Sequence, residues 1–241
     1  KTYDPSRLVN PASGGNHRPC GDILDLHNYP APDMFLFDPK RVNVLGEYGG
    51  IGLPVENHLW WNKRNWGYVQ FKNSDEVTAE YVKYANCWRT TGDIRDNWKS
   101  ISGIGFGRNS SWAPYSGPGH WPDGDMMVIG NVGWGRKYHY TNLTPDEQYT
   151  HVTLWAMQAS PLLIGCDMAV ADKFTKSLLC NNEVIDINQD PLGYAATKIY
   201  GNSSYATYFK PLEDGSLAIA MFNLSETTQK IGFKPRLLSL H

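Results

Sequence analysis

Three short runs of this chain are apolar along most of their length and end in a polar residue capable of chemistry. They are Asp22-Ile23-Leu24-Asp25-Leu26-His27, Val42-Asn43-Val44-Leu45-Gly46-Glu47 and Leu162-Leu163-Ile164-Gly165-Cys166-Asp167. Runs of this length read as strands, the third as a buried one. Strands that close on an acid or a histidine suit a (β/α) barrel, whose core takes the apolar part and whose strand C-termini carry the chemistry.

Helix signals lie between them. Ser74-Asp75-Glu76 starts one over about residues 75–85. Thr144-Pro145-Asp146-Glu147 starts another, with a Thr cap, Pro in the first position and Glu placed to close a capping box. That helix should run through Trp155 to about residue 159 and stop at Pro161, and a third should cover about 171–180, ahead of a turn-rich stretch at 188–193. Near residue 200 strand–helix alternation gives way to short alternating segments. Residues 205–211 and 217–223 flank Glu213-Asp214-Gly215, a hairpin signal that opens an antiparallel β region.

Bulk properties exclude several partners. With 241 residues and a net charge of -2, the chain has length for a substantial core and no electrostatic reason to bind nucleic acid or an anionic membrane. No apolar run approaches the roughly 20 residues of a spanning helix, so the reading is a soluble globular protein. The chain opens at Lys1 with neither Met nor a cationic-apolar leader, and its true N-terminus is expected upstream. Nine Trp and fourteen Tyr are many for this length. They serve either as core packing or as platforms for the apolar faces of sugar rings. Cys20, Cys87, Cys166 and Cys180 lack zinc spacing and are expected to be buried free thiols.

Each candidate for chemistry has a plain structural alternative. Glu47, in Gly46-Glu47-Tyr48-Gly49-Gly50, suits a nucleophile or acid/base at a strand end, or is a strand terminus facing water. Asp93, four residues after Arg89, suits proton transfer to a sugar oxygen. Equally, Asp93, Arg95 and Asp96 could be the polar first turn of a helix. Asp123 and Asp125 could hold hydroxyls or form an Asx turn; calcium-loop spacing is absent. Asp25 and His27 share a face with Asp22 nearby, but two ligands do not make a metal site. Gly103-Ile104-Gly105-Phe106-Gly107 lacks the dinucleotide spacing. No metal or cofactor is expected.

Two resemblances emerge. Residues 1–85 resemble the later part of the barrel of family-2 glycoside hydrolases, the β-galactosidase and β-glucuronidase group. Asp4-Pro5-Ser6-Arg7-Leu8-Val9-Asn10, the stretch from Gly21-Asp22 to Pro30, and Val44-Leu45-Gly46-Glu47-Tyr48-Gly49-Gly50 carry it. That resemblance implies Glu47 as nucleophile and Tyr29 and His27 beside substrate, and the family's acid/base motif has no counterpart. Residues 87–233 resemble the second half of family-27 glycoside hydrolases, the α-galactosidases and α-N-acetylgalactosaminidases. Trp88-Arg89 through Asp93 to Trp98, Gly117-Pro118-Gly119 through Asp125-Met126, Leu154-Trp155-Ala156, Pro161-Leu162-Leu163 and Ile187-Asn188-Gln189-Asp190-Pro191-Leu192-Gly193 carry it. It implies Asp93 as acid/base and Arg89, Asp125 and Met126 at the sugar; the Lys-x-Asp nucleophile element is absent, and Pro122 and Gly124 depart from the family's usual Asn and Pro.

The expected fold is therefore α/β, a partial TIM barrel followed by the start of an antiparallel β-sandwich. Its parts are a family-2-like piece at 1–86, a family-27-like piece at 87–200 and a truncated sandwich at 201–241. The expected activity is retaining hydrolysis of a terminal α-galactoside through Asp93, with a carbohydrate as partner and, by family analogy, a secreted, periplasmic or lysosome-like setting. The alternatives are β-galactosidase-type chemistry through Glu47, or a non-catalytic fusion that at most binds sugar.

Overall fold

The computed structural model describes residues 6, 8–11, 14, 17–28, 33–48, 86–133 and 138–232. The helix expected at 75–85 and Tyr29 lie outside the described residues. The chain forms two compact units, Lys1–Val77 and Thr78–His241.

In the first unit β1 (Ile23–Asn28) pairs in parallel with β2 (Val42–Tyr48). Leu24 and Leu26 are buried, so the alternation places Asp25 and His27 on the other face of β1. The register runs regularly from Ile23 opposite Val42 to Leu26 opposite Leu45, then shifts so that His27 faces Glu47. Gly46 is the extra residue of this bulge. A Cβ there would fall 2.2 Å from Asp25 Oδ1, and that same oxygen accepts the Gly46 N–H at 3.1 Å. The missing side chain thus permits a bulge that re-aims Glu47.

The second unit opens with β3 (Cys87–Arg89), parallel to β4 (Trp121–Asp123). Between them lie α1 (Trp98–Ser102), capped by the Asn97 side chain, and a π-helical stretch, Gly103–Asn109. A short antiparallel pair, β5 (Asn131–Val132) and β6 (His139–Tyr140), precedes α2 (Pro145–Met157). The anticipated capping box is present: Thr144 Oγ1 accepts the Glu147 N–H and Glu147 Oε2 accepts the Thr144 N–H. A cap contributes about 1 kcal/mol. Each large buried side chain of α2, such as Leu154, Trp155 and Met157, contributes roughly 1.5–3 kcal/mol. Packing therefore holds this helix, and the cap fixes where it starts.

The sequence expectation fails in three places. Residues 162–167 do not form a buried strand: Ile164 makes a single parallel bridge to Met127, and Leu163 and Ile164 are 52% and 49% exposed. Among the described residues this segment has a strand neighbour on one side only, so neither its ladder nor its apolar face is completed. The region expected as one helix and a turn is α3 (Lys173–Leu179) and α4 (Asn182–Asn188), capped by Asp172 and Asn181; the second helix was missed. The cysteines are free, but Cys20, Cys87 and Cys180 are exposed and Cys166 half-buried, because each lies at an element end or in a loop.

The hairpin is where expected. β8 (Tyr205–Pro211) and β9 (Leu217–Asn223) pair in unbroken antiparallel register, and β7 (Thr197–Gly201) adds a third strand. Gly215 turns at φ +84°, a value that favours glycine. Ala206, Tyr208 and Phe222 of this sheet share a core with Ile94, Ile101, Val128, Leu154 and Trp155. A buried polar chain accompanies it. Thr90 donates to Asn109, Asn109 donates to Gln158 and Ser160, Gln158 donates to Ser110, and Ser110 meets the Tyr208 hydroxyl. Among the described residues no helix is long and apolar enough to cross a membrane.

His151, on the buried face of α2, is fully enclosed, and burial drives its imidazole down to about 3 from 6.5. Its Nε2 accepts the Val128 N–H at 3.1 Å. Between those two values the unfolded chain binds the proton and the native one does not. Stability is therefore complete above 6.5 and declines as pH falls through the window, by up to about 1.4 kcal/mol per pH unit. Urea unfolding at pH 7 and at pH 4.5 should show this decline, and His151→Gln should flatten it. An unchanged slope in that variant would show that other groups cause it.

Candidate functional site

The site in the second unit grows from the ends of β3 and β4. Arg89 is the last residue of β3, opposite Asp123 of β4. The ladder continues one residue further, since the Thr90 N–H donates to the Asp123 carbonyl at 2.9 Å and the Thr90 hydroxyl donates to the same oxygen at 3.2 Å. The chain then turns through Thr91 and Gly92 to Asp93, outside any helix. The polar-first-turn alternative is excluded, because α1 begins only at Trp98 with Asn97 as its cap.

Arg89 joins two carboxylates of opposite character. Its Nη2 lies 2.7 Å from Asp125 Oδ2, whose side chain is 11% exposed, and 3.3 Å from Asp93 Oδ1, whose side chain is 94% exposed. The buried partner is bonded three ways. Asp125 Oδ2 also accepts the Ile94 N–H at 2.8 Å, and Oδ1 accepts the Met126 N–H at 2.8 Å. Asp93 by contrast stands in water, at the rim of an open depression of about 510 Å³ that Arg95, Lys99 and Arg108 also line. Of the two carboxylates on Arg89, Asp93 is therefore the one open to a ligand from solvent.

The two acids around Gly124 divide the alternatives proposed for them. Asp123 makes the Asx turn, its Oδ1 accepting the Asp125 N–H at 2.7 Å. Burial pushes its carboxyl above the usual range, and that Asp125 N–H and Arg89 oppose the rise. Asp125 turns to Arg89 instead, from a backbone φ of +82° that aspartate tolerates better than most residues. Met126, half-buried, packs against the core and lies close over Gly165, where a Cβ would come within 2.8 Å of its sulfur.

In the first unit the bulge at Gly46 brings Glu47 Oε2 to 3.2 Å from His27 Nδ1, with Asp25 Oδ1 4.0 Å from His27 Nε2. Asp25 is otherwise engaged by the Asn10 amide and the Gly46 N–H, and Asp22 by the Val9 N–H. Among the described residues no group of three or more His, Cys, Asp or Glu could hold a metal ion. The structure therefore gathers Arg89, Asp93 and Asp125 in one place and His27 with Glu47 in another. Trp155, which the sequence marks only as part of the family-27 resemblance, has its indole N–H donating to the Asp125 carbonyl at 2.7 Å. The His151/Trp155 spacing on a helix following the Asp123/Asp125 turn was the available signal.

The family model described as alpha galactosidase A matches residues 60–190; its start lies upstream of the Asn86/Cys87 junction read from the sequence. The alpha-galactosidase of Cyamopsis tetragonoloba is 40% identical over 189 residues, covering 77% of this chain and 42% of that protein. Alpha-galactosidase 2 of Arabidopsis thaliana is 40% identical over 146 residues, 61% of this chain and 34% of that protein. Among solved structures, a GH27 β-L-arabinopyranosidase from Geobacillus stearothermophilus is 35% identical with a TM-score of 0.58, covering 63% of this chain and 35% of that one. The chain thus spans about a third to two fifths of the length of these relatives.

The Asp125 carboxylate is the piece whose loss should be felt most widely. Asp125→Ala removes the acceptor of the Ile94 N–H and the counter-charge of the part-exposed Arg89, a cost of about 1–3 kcal/mol, most of it from the unpaired N–H. Asp93→Ala, at an exposed position, should cost less than about 0.5 kcal/mol. Denaturant midpoints of the two variants check the contrast.

Proposed function

We propose, on the premise that this chain belongs to the alpha-galactosidase A family, that residues 86–232 form the acid/base side of a glycosidase site. The bond it acts on is that of a terminal α-galactoside. The observation that carries this reading is the Arg89 guanidinium held between a buried, hydrogen-bonded Asp125 and a solvent-exposed Asp93. Asp93 is the acid/base: it delivers a proton to the leaving oxygen and later takes one from water. Arg89 keeps its charge beside that carboxylate, and Asp125 and Met126 face the sugar. The Geobacillus relative is a β-L-arabinopyranosidase, and that sugar differs from galactose by lacking the hydroxymethyl group, so both belong to the substrate class to be tried.

Retaining hydrolysis needs two carboxyl groups about 5–5.5 Å apart. Asp123 is engaged by the Asx turn and Asp125 by Arg89, and the Lys-x-Asp element that the family resemblance implies as nucleophile has no counterpart in this sequence. The three-stranded sheet is read as the opening of the β-sandwich that the family resemblance implies.

A second reading concerns the first unit, where the bulge sets Glu47 against His27. On the family-2 resemblance Glu47 would be a β-galactosidase-type nucleophile with His27 and Tyr29 beside the sugar; the alpha galactosidase A match over residues 60–190 takes in the end of the 1–85 piece.

Nitrophenyl α-galactoside, β-L-arabinopyranoside and β-galactoside separate these readings. Turnover of either of the first two should fall at least about 100-fold in Asp93→Asn, and turnover that survives the change sinks the acid/base assignment. Turnover of the β-galactoside that depends on Glu47 would favour the second reading.

A further inference from the structure

The helix behind the site does more than fill the core. Trp155 is completely buried, a place that phenylalanine or leucine would fill as well for packing alone. Its indole lies in a slot with three walls. A Cβ on Gly124 would stand 3.0 to 3.3 Å from ring atoms Cζ2, Cε2 and Nε1, and one on Gly105 would stand 2.8 Å from Cζ3. The His151 ring meets it edge-on, with centroids 4.2 Å apart and planes at 90°. So confined, the indole N–H has one direction to point, and it points at the Asp125 carbonyl, 2.7 Å away.

That carbonyl belongs to the residue with φ +82°, the point where backbone orientation decides where the carboxylate goes. One turn earlier on α2, His151 Nε2 accepts the Val128 N–H. The helix therefore grips the segment on both sides of Met126, at the carbonyl before it and at the amide two residues on. Downstream of the first grip, Asp125 Oδ2 holds Arg89, and Arg89 meets Asp93.

We infer that Trp155 is a positioning residue: through its hydrogen bond to the Asp125 carbonyl it sets the Asp125 carboxylate, and through that carboxylate it immobilises the Arg89 guanidinium beside Asp93. This rests on the functional reading above for its meaning, but not for its test. A buried aromatic with a purely structural role would stabilise the unit without governing the motion of Arg89.

The test follows the Arg89 side chain by NMR of ¹⁵N-arginine-labelled full-length protein. In the native protein the two Nη groups of Arg89 should give separate, slowly exchanging signals. In Trp155→Phe, which keeps an aromatic ring but drops the donor, rotation about the guanidinium should be about tenfold faster, as one lost buried hydrogen bond implies. Leu154→Ala is the control, since it empties a neighbouring core position on the same helix without touching the bond to Asp125. It should leave the Arg89 signals separate despite a loss of stability. Unchanged signals in Trp155→Phe, or equal averaging in Leu154→Ala, would overturn the inference.

Should Trp155→Phe not fold, hydrogen exchange in the native protein decides. The Trp155 indole proton and the Ile94 amide, which both end on Asp125, should exchange at matching rates, and independent rates would refute the linkage. Because Arg89 mobility is read without any sugar present, a chain that turned over no galactoside would still confirm or reject the positioning role. The reverse also holds: failure of the Arg89 experiment would leave the Asp93 assignment to its own kinetic test.

Discussion

The second unit is organised around one carboxylate that water scarcely reaches. A mostly buried anion is costly unless it is paired and hydrogen-bonded, and Asp125 is held by Arg89 of β3, by the Ile94 N–H after the site loop and by the adjacent Met126 N–H. Satisfying that anion brings three stretches of chain into fixed relation. It also leaves the two acids on Arg89 in opposite surroundings, Asp125 enclosed and Asp93 open to solvent. That contrast follows from burial rather than from residue type.

The same economy of means appears in the first unit, where a single extra glycine decides which side chains meet. Without the bulge at Gly46, the regular register would carry His27 opposite Gly46 and leave Glu47 facing the next residue of β1. With it, the Glu47 carboxylate meets the His27 ring. In both units backbone irregularities create the local arrangement: a bulge at Gly46, and a positive φ at Asp125 beside a glycine that clears the Trp155 ring.

Local signals in the sequence were read well where short-range physics decides. The Thr144–Glu147 capping box, the 205–223 hairpin and the two parallel strands of the first unit depend on neighbours a few residues away or on simple alternation, and each is found as expected. Residues 162–167 failed for a different reason. An apolar run becomes a buried strand only if partners flank it and a layer covers it, and sequence composition cannot report whether those are present. Arg89, Asp93 and Asp125 were named together because a family resemblance tied them. Physical spacing alone left an Asx turn and a sugar contact equally open, and the structure gives the turn to Asp123 and the Arg89 contact to Asp125. Trp155 carries part of the resemblance, but an aromatic on the buried face of a helix looks like core until the partner of its N–H is known.

The bonds that build this site also explain how it can be formed by a chain spanning only part of its relatives. Arg89, Asp93, Asp123, Asp125, Ile94 and Trp155 all lie between β3 and the end of α2, and every bond that orients them closes within that stretch. No described residue of the first unit is needed to hold Asp93 and its cation in place. A two-carboxylate mechanism, however, is a relation between strands on opposite sides of a cleft, and such a relation cannot be local. The bonds that hold Arg89 beside Asp93 are thus local to one stretch, whereas a second carboxylate at glycosidic distance from Asp93 would be a long-range relation.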